Sequence, residues 1–416
     1  MTMRVQASLI LIMALAMMGL ASCDHYNCSS GPSLGSSCTG TGSGISSGTG
    51  GSGTGETGTP TTFIFSPITS TTGVSGFTFS AAAANIYPTL NYTQATAPSG
   101  GGGELIAVQG KYLYASFVGT GLEGQIYGWS IDSTGNLTAI SGSPFVLPGW
   151  TGTILGGMVP NPAGTMLFRA APGAFQGDST IYAMQIGDTG VLTQVAGSPF
   201  AIPFDPGSIT TDGLGRYLYV AALATAESPV EIGAYNIGSN GALTVVAGSP
   251  FVYPMAGIAG DASGKYLIGT TSGTIADNDA DNHLYVFGIQ QTGTTAGAIS
   301  PVPGSPFPTV YSPFTFALQQ NSGGVLLYSF SLLTDGTGNP IEGYQLDPST
   351  GALTAIAGSP FLDFPESYGF FDQSGGYLFA VNELTLTAYQ VPSSGQLTGE
   401  GSLLEGWGSI ALADAP

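Results

Sequence analysis

Hydrophobic residues in this chain come in short alternating runs, each cut off by glycine, proline or an Asp or Asn turn. The stretch from Gly207 to Phe251 holds four such runs, including Tyr217-Leu218-Tyr219-Val220 and Ile232 to Ile237. The second run recurs at Tyr112-Leu113-Tyr114, Met166-Leu167-Phe168, Tyr266-Leu267-Ile268, Val325-Leu326-Leu327 and Tyr377-Leu378-Phe379. The third recurs at Ile126 to Ile131, Ile181 to Ile186, Leu284 to Ile289, Ile341 to Leu346 and Leu386 to Val391. Aromatic and branched residues at a period of two predict pleated, half-buried strands. Past the leader no window keeps a helical period, so helix is not expected there.

The runs belong to a repeat. Gly-Ser-Pro-Phe begins at residues 142, 197, 248, 304 and 358. A period of about 50 residues suits a four-stranded propeller blade and is too long for helical repeats of roughly 33 to 34 residues. Between the first and second strands an Asp or Asn precedes Gly by three residues, as in Asn161 to Gly164, Asp212 to Gly215, Asp261 to Gly264 and Asn321 to Gly324. The Asx side chain can bond its own backbone and glycine supplies positive φ, which makes a tight hairpin. Turns such as Ser133-Thr134-Gly135 join the third and fourth strands on the same side. The longer connections fall on the opposite face, where binding is expected.

The ends of the repeat region are complementary. Residues 63 to 66, 74 to 79 and about 88 to 98 read as second, third and fourth strands with no first strand before them. Gly408 to Asp414 reads as a first strand with no blade after it. The expected fold is all-β: a seven-bladed β-propeller of four-stranded blades, its ring closed by a C-terminal strand that completes the N-terminal blade.

The repeat D-x-x-G-x-Y-L-Y-V … I-x-A-Y-x-I … G-x-L-T-x-V-x-G-S-P-F resembles the seven-bladed propeller lactonases of the 6-phosphogluconolactonase type, over residues 62 to 416. The resemblance implies a cofactor-independent lactone hydrolase, a carboxylic ester hydrolase working with His, Arg and carboxylate side chains at the channel mouth. The repeated residues, however, are strand and turn residues, and a fold does not fix a reaction.

Three segments organise the chain. Residues 1–22 read as a lipoprotein signal peptide: Arg4 without acids, an apolar stretch from Ala7 to Leu20, and Leu20-Ala21-Ser22-Cys23 at the cleavage site. That stretch is short for a membrane span. Cys23 is the expected lipidation site, anchoring the protein to the bacterial cell envelope, periplasmic or surface-exposed; an ordinary secretory signal is the alternative. Residues 23–61 are rich in Gly, Ser and Thr and form a flexible tether. Cys28 and Cys38 could pair in an oxidising compartment or stay free. Residues 62–416 form the propeller, which has no cysteine and is expected to be monomeric.

Charge excludes one class of partner. The net charge is −20 and only 5 residues are Lys or Arg, so no basic track exists to displace counterions from nucleic acid. Lys111, Arg216 and Lys265 occupy one turn position. Arg169 instead follows a second strand toward the long-loop face, where it could hold a carboxylate, phosphate or sugar, or pair with an acid such as Asp178. His283 and Glu231 enter the third strands of neighbouring blades, and an imidazole beside a carboxylate could act as a base. Arg169, His283 and Glu231 are thus the catalytic candidates. Asp277, Asp279 and Asp281 alternate as calcium loops do, but Asn282 stands where an EF-hand needs glycine; structural calcium or a solvated acidic loop fits. No other cofactor is expected. Trp150, Tyr253, Tyr311, Tyr368 and Trp407 lie at blade junctions, either as platforms for a small-molecule, sugar or protein ligand or as plugs between blades. The favoured reading is a non-catalytic, ligand-binding propeller on a lipid anchor.

Overall fold

The structure is a computed structural model that describes residues 61–67, 74–80, 85–88, 104–117, 124–150, 157–173, 178–223, 231–253, 255–271, 282–321, 324–331, 340–361, 368–372, 375–381, 385–404 and 411–414. Among these there is no helix, and the strands form seven antiparallel sheets in a propeller arrangement. We number the sheets in chain order. Sheet one takes Thr61–Pro67, Val74–Ser80, Asn85–Pro88 and Ala411–Asp414; its last strand pairs with its first in the register Thr62↔Asp414 to Phe65↔Ala411. The fourth strand of this sheet, Asn85–Pro88, comes earlier than the run at 88 to 98 suggested. Sheets two to seven each begin with four consecutive strands, starting at Glu104, Met158, Pro206, Gly257, Pro313 and Tyr368; sheets two to five depart from the expected four-stranded blade by a short fifth strand, opening on the Phe of Gly-Ser-Pro-Phe, that pairs with the third.

Strand alternation sends side chains from each sheet into both neighbours. Phe63 and Phe65 of sheet one pack on Leu113 and Trp129 of sheet two. Each later pair of sheets shares a similar cluster, and the last joins Phe379, Val381 and Leu386 of sheet seven to Ile64, Phe77 and Phe79 of sheet one. Fully burying each such Leu or Phe contributes about 1.5–3 kcal/mol, so the core is distributed over the junctions.

The recurring four residues have a structural task. In all five copies the glycine has positive φ and the Ser–Pro bond is cis. The serine Oγ accepts a third-strand N–H, from Gly128, Ala183, Ala234, Val286 or Gly343, at 2.8–3.0 Å. The motif therefore fastens the outer turn to its own blade. A second device fastens one blade to the next: the hydroxyls of Tyr114, Tyr219 and Tyr328 donate to the carbonyls of Gly190, Gly297 and Gly395 in the following sheet. Tyr219→Phe is expected to lower stability by about 1–2 kcal/mol, the cost of a lost buried bond and an orphaned carbonyl, read as a shift in the urea midpoint.

These tyrosines also correct the repeat register. Tyr328 is the counterpart of Tyr114 and Tyr219, so the sixth repeat aligns as Leu326-Leu327-Tyr328 rather than Val325-Leu326-Leu327. The spacing in the sequence agrees, since Tyr328 follows Asn321 by seven residues as Tyr219 follows Asp212, although in this hairpin Asn321 pairs directly with Gly324. The other hairpins are wider, with Asp212 N–H bonding Tyr217 O and Asp261 N–H bonding Tyr266 O. The residue that corresponds to Arg169 is therefore Ser329.

Candidate functional site

Alternation along Met166–Ala171 decides where Arg169 points. Phe168 and Ala170 pack toward sheet four, Leu167 and Ala171 toward sheet two, so Arg169 enters the junction between sheets two and three. Its partner there is not Asp178, which is exposed, but Glu104, the first residue of sheet two. Arg169 Nη1 lies 3.5 Å from Glu104 Oε2, and the Met158 N–H donates to Glu104 Oε1 at 2.8 Å. The guanidinium carbon sits 5.0 Å from the Trp150 ring centroid. Gly124 makes room for that ring, since a Cβ there would stand 1.7 Å from it.

Solvent meets this knot on one side only. The Arg169 side chain is 0% exposed and that of Glu104 29%. Burial pushes the Glu104 carboxyl above its ordinary 4.5, opposed by Arg169 and by the Met158 N–H. Burial also lowers Arg169, opposed by Glu104, yet a guanidinium keeps its proton. Two further polar atoms of the junction, Ser116 Oγ and Trp150 Nε1, are buried without a hydrogen-bond partner among the described residues. A carboxyl raised in the folded state contributes most to stability in acid, and that contribution is lost as pH rises from about 4.5 through the raised value. The urea midpoint of the wild type is therefore expected to fall more between pH 4.5 and 7 than that of Glu104→Gln.

The other catalytic candidates stand on the next two sheets. Glu231 opens a third strand of sheet four and pairs in register with Val252; His283 opens that of sheet five and pairs with Pro308. With Arg169 in sheet three, the three occupy three different sheets. Trp150 is 2% exposed, a plug rather than an open platform. Tyr253 also fills a junction, its ring 4.6 Å from that of Phe287. Tyr368 stands on an innermost strand against Phe370. Tyr311 is half-buried, and its N–H donates to Glu342 Oε2 at 3.0 Å. Asp277, Asp279, Asp281, Trp407, Cys23, Cys28 and Cys38 lie outside the described residues, among which no group of three His, Cys, Asp or Glu is placed to hold a metal. The sequence reading missed Glu104. Its only signal is an acid opening a first strand, where other repeats carry Met158, Gly257 or Tyr368.

No protein-family model matches the chain, and no curated protein matches its sequence. Solved structures do. The periplasmic gluconolactonase PpgL of Pseudomonas aeruginosa superposes with a TM-score of 0.61 at 15% identity, over 86% of this chain and 100% of its own. A candidate 6-phosphogluconolactonase from Bacteroides uniformis gives 0.61 at 15%, over 85% and 99%. A Lactobacillus plantarum protein gives 0.58 at 15%, over 86% and 100%. The fold is that of the propeller lactonases. At these identities the likeness extends to the fold and no further.

Proposed function

We propose that this protein is an envelope lipoprotein, anchored through Cys23, whose sheets close into a seven-bladed ring and bind a small polar ligand on the long-loop face without turning it over. The observation that carries this reading is the state of Arg169. A guanidinium fully buried between Glu104 and Trp150 serves the junction and is not presented to a substrate carbonyl. His283 and Glu231, the other groups able to polarise or deprotonate, open strands of two other sheets. Lactone hydrolysis needs a base and an oxyanion donor held together around one carbonyl. Purified protein is expected to hydrolyse δ-gluconolactone or γ-butyrolactone no faster than buffer. Turnover that disappears in His283→Ala or Glu104→Gln would overturn the reading.

Lactone hydrolysis remains the second reading, on one specific observation. Glu104 is a part-exposed carboxyl with a raised pKa, the type of group that activates water, on a fold shared with a periplasmic gluconolactonase. For the anchor, Cys23→Ser is expected to move the protein from membrane to soluble fractions; unchanged membrane association would count against lipidation.

A further inference from the structure

Exposed strand edges invite strands of other molecules, and natural sheets guard them with charges, prolines, short strands or bulges. On the outer rim of sheets two to six the charges are missing. None of the described fourth and fifth strands there contains Asp, Glu, Lys or Arg, and two of their side chains, Val245 and Val252, are 63% and 68% exposed.

What this rim has instead is a break. In sheet four the third strand, Glu231–Ile237, pairs with Leu243–Val245 at one end and with Phe251–Val252 at the other. Between these the chain leaves the ladder through Gly248-Ser249-Pro250. Ser249 Oγ takes the Ala234 N–H at 2.8 Å where a backbone carbonyl would otherwise stand, so the third strand stays bonded. The Ser249 N–H turns back to Val246 O at 3.0 Å, and Pro250 has no N–H to offer. The same turn recurs at Ser143, Ser198, Ser305 and Ser359. The outer strands of sheets two to five are accordingly only two or three residues long. Sheet seven lacks the motif, and its outermost strand, Thr398–Leu404, runs for 7 residues. A different guard stands there. Ser402 pairs with Thr387 and Gly399 with Tyr389, so Glu400 and Gly401 together face Ala388 alone. That is a bulge, which bends and twists an edge, and one of its two residues is an acid.

We infer that Gly-Ser-Pro-Phe in sheets two to six and the bulge in sheet seven are two forms of one device, which keeps the rims of neighbouring copies from joining strand to strand. The test removes the guard that involves no proline. Deleting Gly401 together with Glu400→Thr gives sheet seven a regular, uncharged outer edge. Light scattering on size exclusion is expected to find the wild type monomeric and this variant in dimers and larger species that grow with concentration. Deleting Gly401 together with Glu400→Lys puts a charge back on the edge and is expected to return the monomer. Glu400→Thr alone keeps the bulge and is expected to associate only at higher concentration; it is read in place of the deletion should that not fold. Folded edge variants that all stay monomeric overturn the inference. So does a wild type that associates and is dispersed by Val245→Lys with Val252→Lys, since the breaks would then leave the rim open.

Discussion

Arg169→Ala is expected to destabilise the protein by about 3–5 kcal/mol, the cost of breaking a buried pair and leaving one charge behind. The fully buried side chain also leaves a void beneath Trp150, and the ring loses the cation over its face. The orphaned Glu104 loses the guanidinium that holds its carboxyl down, so its pKa rises further. The defect should therefore be smaller in acid than at pH 7, because a protonated Glu104 no longer needs its partner. Arg169→Met combined with Glu104→Gln removes both charges at similar volume and should recover much of the loss. Urea unfolding of the three variants at pH 4.5 and 7 checks this. A single variant with unchanged midpoint at both pH values would mean that the knot holds nothing together.

Removing residues 411–416 is expected to have the other large effect. The strand Ala411–Asp414 is the inner partner of Thr61–Pro67. Losing its ladder bonds, at about 1 kcal/mol each, costs on the order of 4 kcal/mol. It also bares the edge of a strand carrying Phe63, Ile64 and Phe65, all buried in the intact protein. Exposed edges with such side chains template association. The truncated chain should therefore elute as aggregates on size exclusion and melt earlier. A soluble monomer with unchanged melting would refute the closure of the ring through that strand.

The second and third strands, the Asp-x-x-Gly hairpins and the period were all legible in the sequence, because each follows from local rules. Alternation marks a strand, an Asx side chain bonds its own turn, and glycine takes positive φ. Asp212 Oδ1 duly accepts the N–H groups of Arg216 and Tyr217, and Asp261 Oδ1 those of Lys265 and Tyr266. The pairing of Ala411–Asp414 with the first strand could be read in advance too, since two incomplete repeats can complete each other in only one way.

Tertiary structure alone decided what the side chains at the junctions do. Arg169 looked toward Asp178 in its own repeat and found Glu104, 65 residues earlier, because strand alternation faces it to the preceding sheet. Trp150 could be read as a platform or as a plug, and its burial makes it a plug, since a ring at a junction is as easily buried as displayed. Which face a strand residue takes is local, but what it meets there depends on how neighbouring sheets pack.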